Sequence, residues 1–277
     1  MTTITAKVIE DSIAENGVRL TTLQLCYPRF IHAEFMTHRV FSRNASSSRA
    51  IPVAKMIEQV RNDPAMPIHW GKNQPGMQAN EQLAPLAQEG ARQLWMQAAR
   101  DAAATAQVMA DMGLHKQVAN RILEPYQWMH VIVTATEWEN FFELRNHPDA
   151  QPEIHALAKV MHHAFAASGC LSLRDGQWHL PYVTRAERAE HYDNIELLLK
   201  LSAARCARVS YLTHDGQEPS IEKDVALYDR LVGSKPLHAS PIEHQATPLA
   251  EADMWSGNFR GWLQNRKLVE NAIEKTS

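Results

Sequence analysis

The chain has 277 residues, 45% of them hydrophobic and 21% charged, with a formal net charge of −3. That length supports one large domain or two small ones with a sizeable core. The slightly acidic balance argues against a general nucleic-acid binder, which shows a basic excess, but not against one local basic pocket.

The N-terminus, M-T-T-I-T-A-K-V-I-E-D, has no apolar h-region, so no secretory signal is expected. Residues 3–26 read as strands, and Gly17 marks a turn between V-I-E-D-S-I-A and V-R-L-T-T-L-Q-L, so a hairpin is expected. Pro28 opens a predicted helix, R-F-I-H-A-E-F-M-T-H-R, because proline suits a first helical turn. Residues 63–79 hold three prolines and two glycines and read as a loop. A long helix rich in Ala, Gln, Leu and Met is predicted from about Asn80 to Met112. Gly113 breaks it, K-Q-V-A-N-R-I-L resumes helical spacing, and Pro125 ends that segment. H-V-I-V-T-A-T reads as a buried strand. W-E-N-F-F-E-L-R and E-I-H-A-L-A-K-V-M-H-H-A-F read as helices. A loop from Gly169 to Pro181 leads to a helix around I-E-L-L-L-K-L-S-A-A-R. Ser220 reads as the N-cap of a further helix that ends near Gly233, with Glu222 and Asp224 in its first turn. Strands and helices without regular βαβ alternation predict an α+β fold, a mixed or antiparallel sheet with packed helices. The longest apolar runs are far short of a membrane span.

Residues 37–50, T-H-R-V-F-S-R-N-A-S-S-S-R-A, are dense in guanidinium and hydroxyl groups. Arg39 and Arg49 can each fork two N–H bonds onto a phosphate, with serines and loop amides filling the remaining oxygens. The same composition also suits a helix C-terminus with a serine-rich exit loop. Arg145 follows Phe141, Phe142 and Leu144, so its stem is expected to be partly buried, and a buried Arg needs an anionic partner. Arg121 and Arg145 read equally well as solvated or salt-bridged helix ends. The three cysteines, Cys26, Cys170 and Cys206, are widely spaced without a C-x-x-C, the usage of reduced thiols in a cytoplasmic protein. Cys206 could be a nucleophile, but it lies in a small-residue run without an adjacent base, and a lone Cys is more often packing. H-A-S-P-I-E-H at 238–244 is not H-E-x-x-H, and Pro241 spoils the helix such metal spacing needs, so no metal site is expected.

Taken together, these stretches resemble the flavin-dependent thymidylate synthases. That family's signature, R-H-R-x-x-S-x-N-E-x-S-x-R, appears here as T-H-R-V-F-S-R-N-A-S-S-S-R, in which His38, Arg39, Ser42, Asn44, Ser47 and Arg49 match. The upstream P-x-F-x-x-x-Q resembles P-R-F-I-H-A-E, an arginine before a proline resembles Arg121, and N-F-L-x-L-R resembles N-F-F-E-L-R, ending in Arg145. A-Q-x-E-I resembles A-Q-P-E-I at 150–154, A-A-R-V-S-F resembles C-A-R-V-S-Y at 206–211, and H-x-T-P-x-E-H resembles H-A-S-P-I-E-H. In the family the last two precede the signature, whereas here they follow it by roughly 160–200 residues. The chain therefore resembles a circularly permuted member: a single domain over 1–277, with the signature near 28–50 and the second family half near 200–250. Permutation is tolerated where the old termini lie close at the surface. Four positions depart from the pattern: Thr37 replaces the first Arg, Ala45 the Glu, Glu34 the upstream Gln, and Ala50 the Tyr after the last Arg.

The resemblance implies FAD-dependent methylation of dUMP to dTMP, with methylenetetrahydrofolate giving the one-carbon unit and NADPH reducing the flavin. It implies FAD contacts from His38, Arg39, Ser42, Asn44, Ser210, His238, Ser240 and Glu243, and nucleotide contacts from Glu34, Ser47, Ser48, Arg49, Arg121 and Arg145. Arg145, Ser47 and His238 would be the catalytic residues. It further implies a cytoplasmic homo-oligomer, a tetramer whose sites are completed across subunits, with no nucleic-acid or membrane partner. Ala45 and Glu34 motivate an alternative, the same flavin and folate chemistry on another pyrimidine nucleotide: hydroxymethylation of dUMP or modification of dCMP. A non-catalytic nucleotide- or flavin-binding protein is the third reading.

Overall fold

The computed structural model describes residues 1–209, 220–233 and 235–276. Strands β1 (Thr5–Ala14) and β2 (Arg19–Pro28) form the expected hairpin, with Gly17 at φ 84° in the turn. Only glycine takes that left-handed conformation without cost. A 3-10 turn (Arg29–Ile31) and a single helical turn, α1 (His32–Phe35), then occupy the predicted helix. It stops early, where Arg43 Nη1 donates to the carbonyls of Met36 and His38, at 3.1 and 3.0 Å, and the chain turns back. That turn feeds β3 (Ser42–Ala45), which pairs antiparallel with β4 (Trp128–Ala135). S-R-N-A has little intrinsic strand preference, so the pairing is supplied by β4, whose β-branched run is buried along most of its length.

Between β3 and β4 lie α2 (Val53–Asn62), the long α3 (Pro85–Asp111), α4 (Lys116–Ala119) and a 3-10 segment (Asn120–Tyr126). Pro125 sits inside that segment, since 3-10 geometry tolerates it where an α-helix would not. Pro85 opens α3, and Ala99, Ala103 and Ala106 share one face with helical spacing. These small side chains let α2 approach closely with Met56, Ile57 and Val60. The proline-rich 63–79 segment is a loop as predicted, but residues 70–83 fold back on themselves. Leu83 N donates to Trp70 O, Lys72 N donates to Glu81 O, and Gly71 bridges Gln82. A Cβ at Gly71 would stand 2.3 Å from that of Ala79.

After β4 come α5 (Glu139–Arg145) and α6 (Pro152–Ala167), both as predicted, then β5 (Leu171–Leu173) inside the expected loop. β5 pairs parallel to β1, which makes the five-stranded sheet mixed, in the order β3-β4-β2-β1-β5. α7 (Arg185–Glu190) starts at a capping box of Thr184 and Glu187. α8 (Ile195–Arg208) and α9 (Ile221–Val232) follow, then a 3-10 turn (Ser240–Glu243), β6 (Ala246–Pro248), β7 (Trp255–Ser256), β8 (Phe259–Arg260), β9 (Trp262–Gln264) and α10 (Asn265–Thr276).

Strand alternation divides the molecule into layers. Val131 and Val133 of β4, with Leu23, Leu25 and Tyr27 of β2, meet Phe141 of α5 and Ile154, Leu157 and Met161 of α6. Ile132 faces the other way and packs with Cys206 and Val209 at the end of α8. The same alternation sends Ser42 and Asn44, the partners of Thr134 and Ile132, to the α8 face. Arg43 and Ala45 go to the α5–α6 face. The fold is α+β, a mixed sheet with helices on both sides.

Candidate active site

The structure gathers the expected site residues into three groups. The first lies at the C-terminus of α5. Arg145 is four residues past the buried Phe141, so both project from one helix face toward the α1 turn. Arg145 Nη1 is ion-paired with Glu34 Oε1, its Nε donates to His38 Nε2 at 3.1 Å, and its Nη2 donates to Thr37 Oγ1 at 3.4 Å. The anionic partner expected for Arg145 is thus Glu34, from the far side of the sequence. His38 lies against the rings of Phe41 and Phe141, with centroids at 5.8 and 4.9 Å. Burial, then the charges of Arg145 and Arg43, push His38 down to about 4. It is therefore neutral at pH 7, and because Nε2 accepts from Arg145 its proton sits on Nδ1.

Glu34 and Arg145 line a cavity of about 1170 Å³. Phe30, Trp95 and Met77 give it apolar walls, the 67–80 loop closes one side, and His155 and Lys159 of α6 close another. Its volume exceeds the usual several hundred Å³ of a small-ligand site, so it has room for more than one ring system. Ser47, Ser48, Arg49 and Arg121 do not line it.

The second group is built on the serine-rich turn. Asn120 Nδ2 donates to the carbonyls of Ser48 and Ile51 at 2.7 and 3.0 Å, and Lys116 Nζ donates to Ala50 O at 3.0 Å. Ser47 Oγ accepts from the Arg49 amide at 3.3 Å. The Glu124 carboxylate collects Ser48 Oγ at 2.6 Å, Arg121 Nη1 at 2.9 Å and Arg29 Nη2 at 3.1 Å. Arg49 is exposed, and its side chain makes no hydrogen bond or ion pair among the described residues. Sequence reasoning missed Glu124, although its position three residues after Arg121 was the available signal.

The third group lies on the opposite face of the sheet. Asn44 Nδ2 donates to Cys206 O at 2.9 Å, and Ser240 Oγ reaches Asn44 Oδ1 at 3.5 Å. Two segments separated by 196 residues therefore meet at one place. Glu243 is ion-paired with Arg266, and burial raises its carboxyl above the ordinary range despite that partner. Ser42 is fully buried, and its hydroxyl accepts from Gln264 Nε2 at 3.0 Å and Asn258 Nδ2 at 3.3 Å. His238 and Arg39 are exposed, with no side-chain partner among the described residues. Ser210 lies outside the described residues. Cys206 is fully buried, burial pushes its thiol well up, and Gln245 donates to its sulfur at 3.7 Å, all features of a packing residue.

A buried chain of hydrogen bonds, unread in the sequence, runs beneath this third group. Ser12 Oγ bonds His179 Nδ1 at 2.9 Å, His179 Nε2 bonds Thr22 Oγ1 at 2.8 Å, Thr22 bonds Thr134 at 2.7 Å, and Thr134 bonds His244 Nδ1 at 2.8 Å. Burial holds both histidines neutral, His244 at about 3. His244 Nε2 ends the chain, buried and without a partner among the described residues. Among the described residues there is no cluster of His, Cys, Asp and Glu that could hold a metal, and no helix long and apolar enough to cross a membrane.

A family described as thymidylate synthase complementing protein matches residues 17–168, from the β1–β2 turn to the end of α6. That is more than half of the chain, and the chain belongs to this family. It is a thymidylate synthase-like methyltransferase. Among solved structures, a UMP/dUMP methylase, PolB from Streptomyces cacaoi, bound with 5-Br dUMP, is similar in fold. The similarity covers 60% of this chain and 91% of that one, at 17% identity and a TM-score of 0.50. The same protein bound with 5-Br UMP gives 60% and 90% coverage, 17% identity and a TM-score of 0.49. No curated protein sequence matches the chain.

Proposed function

We propose that the protein transfers a one-carbon unit from methylenetetrahydrofolate to C5 of a pyrimidine deoxynucleoside monophosphate, with FAD as cofactor and NADPH as its reductant. dUMP, converted to dTMP, is the reference substrate, as the family resemblance implies. The observation that carries the reading is Arg145, held by neutral His38 and Glu34 on the wall of a cavity large enough for a nucleotide beside a second ring system. A fixed guanidinium beside a pyrimidine stabilises negative charge on the ring oxygens in the enolate-like form that makes C5 nucleophilic, and preorganised charge of this kind is often the largest catalytic term. His38 positions that guanidinium and, being neutral, adds no competing charge. Ser47 would orient the nucleotide, and the Ser48–Arg49 turn with Arg121 suits a phosphate. Arg49 is free to fork onto one, while Arg121 is already balanced by Glu124.

The donor set also suits a flavin dinucleotide. Exposed Arg39 offers a phosphate partner, and exposed His238 and half-exposed Ser240 offer ring or ribose donors beside Asn44. The Nε2 of His244, next to Glu243, is a buried polar atom with no partner among the described residues. FAD, when bound, supplies the hydride that reduces the transferred carbon to a methyl group. His38 and Asn44 lie on opposite faces of the sheet within one chain, which supports a site completed by another copy in a homotetramer.

The test is direct. Purified protein is incubated with dUMP or dCMP, methylenetetrahydrofolate and NADPH, the product is identified by mass, and the flavin absorbance band is recorded. Bound flavin and a C5-alkylated nucleotide are expected. A colourless protein that forms no product overturns the reading.

A further inference from the structure

We infer that the base selected at this site is a 4-aminopyrimidine, that of a cytosine nucleotide, and that Glu34 is the residue that selects it. The inference rests on the reading above, that a pyrimidine nucleotide meets Arg145.

Arg145 and Glu34 together set what a ligand meets at this wall of the cavity. A guanidinium carries five N–H groups. Arg145 commits Nε to His38, one Nη1 hydrogen to Glu34 and one Nη2 hydrogen to Thr37. One N–H on each terminal nitrogen is left for the cavity that Arg145 lines. Glu34 commits Oε1 to Arg145, and its Oε2 has no partner among the described residues. The exposure fits this division: the side chains are 20% and 30% exposed, enough to reach a ligand and too little to be fully solvated. A flat ring entering the cavity therefore meets two donors and then an acceptor.

The cytosine edge reads O2 acceptor, N3 acceptor and N4 amino donor, which is the complement. Carboxylates accepting from cytosine N4 and arginines forking onto paired acceptors are both standard in base recognition. The uracil edge reads acceptor, donor, acceptor. Against the same pair, either its N3–H faces a guanidinium N–H or its O4 faces a carboxylate oxygen. Arg145 serves O2 in either case, so Glu34 makes the difference. A mismatch of this kind leaves polar groups of the site unpaired and is rejected more strongly than a mere change of shape.

The experiment is equilibrium binding of dCMP and dUMP to the purified flavoprotein, wild type and Glu34→Gln, with a thermal midpoint for each. Gln keeps the shape and an acceptor for Arg145 but adds an amide N–H that can serve O4. The wild type is expected to bind dCMP at least tenfold more tightly than dUMP, and the variant to lose or reverse that preference. Equal binding, or a preference for dUMP, in the wild type overturns the inference while leaving the pyrimidine reading in place. Binding of neither nucleotide overturns both. A dCMP preference that survives unchanged in a folded Glu34→Gln protein removes Glu34 as its cause.

Discussion

Two arginines, Arg145 and Arg205, each follow an apolar helical run and each sit on a carboxylate, yet they do different work. Arg205 is 3% exposed and commits four of its five N–H groups inside the fold. It meets Glu187 through both terminal nitrogens, Asp224 through Nε at 2.8 Å, and the Tyr182 carbonyl at 2.9 Å. Asp224, itself 0% exposed, also takes Arg208 at 2.6 Å, which ties α8 to α9 and α7. Its hydrogen bond to Arg205 is the chief reason the Glu187 carboxyl is held at about 2. Arg145 keeps two N–H groups in reserve at the wall of a cavity. A buried arginine enclosed by carboxylates and a carbonyl is structural, and one with donors left at a cavity wall is available to a ligand. Buried pairs of the first kind contribute little when intact, because desolvation offsets attraction, but breaking one strands a charge.

That contrast can be tested from its strongest consequence downward. Asp224→Ala leaves Arg208 without its carboxylate and Arg205 with only one of its two. It should cost about 3 kcal/mol or more, the scale for breaking a buried pair, read from the urea midpoint. A loss below about 1 kcal/mol would remove the network from the structural role.

Arg145→Ala should stay folded and keep its flavin while turnover falls on the order of a hundredfold, the scale of losing one stabilising donor. Glu34, being partly exposed, can hydrate once freed, so the thermal midpoint should shift little. A folded, yellow variant with normal turnover would show Arg145 to be another Arg205.

Arg49→Lys keeps the charge but cannot fork onto a phosphate. It should weaken nucleotide binding about tenfold, the value of one charge-assisted bond. Equal affinity of the wild type for nucleoside and monophosphate would end the phosphate assignment.

The acid response has a definite sign. His32 and His38 are held at about 4 and His244 at about 3, each mainly by burial, and His179 is pushed down as well. The unfolded chain binds these protons first, so the stabilisation is complete above about pH 6.5 and is lost as pH falls toward 4. Glu10 acts in the opposite sense. Burial raises it to about 7 against its Arg188 partner, so it favours the folded state at low pH and loses that contribution between about pH 4.5 and 7. Glu243, also raised by burial, acts in the same sense as Glu10, but the four histidines, joined by the depressed Glu187 carboxyl, outweigh the two carboxylates, and net stability should drop below about pH 6. Chemical denaturation across pH measures this, and a curve rising into acid would contradict the burial of these rings.

The smallest effect belongs to Lys72→Ala. Its pair with Glu81 is 53% and 72% exposed. Removing it should change stability by no more than about 0.5 kcal/mol, because solvent already screens it.

Much of the frame was legible in the sequence because it is set by local chemistry. Gly17 between two alternating runs gave the hairpin, H-V-I-V-T-A-T gave the buried strand, and the helix-forming composition after residue 80 gave α3, although Pro85 rather than Asn80 opens it. The signature residues were also legible as a set, since dense Arg, Ser and Asn in one short stretch is chemistry a reader can name. Their grouping was not legible. That S-R-N-A becomes an edge strand depends on β4, some 85 residues away, and strand alternation then sends Ser42 and Asn44 to one face and Arg43 to the other. That Arg145 pairs with Glu34 rather than a neighbour, that Glu124 closes over Ser48 and Arg121, and that Ser12, His179, Thr22, Thr134 and His244 join in one chain are all contacts between distant segments. Hydrogen bonds and ion pairs reach only about 3 Å, so which partners meet is decided by the packing of sheet and helices, and the order of residues along the chain carries no local trace of it.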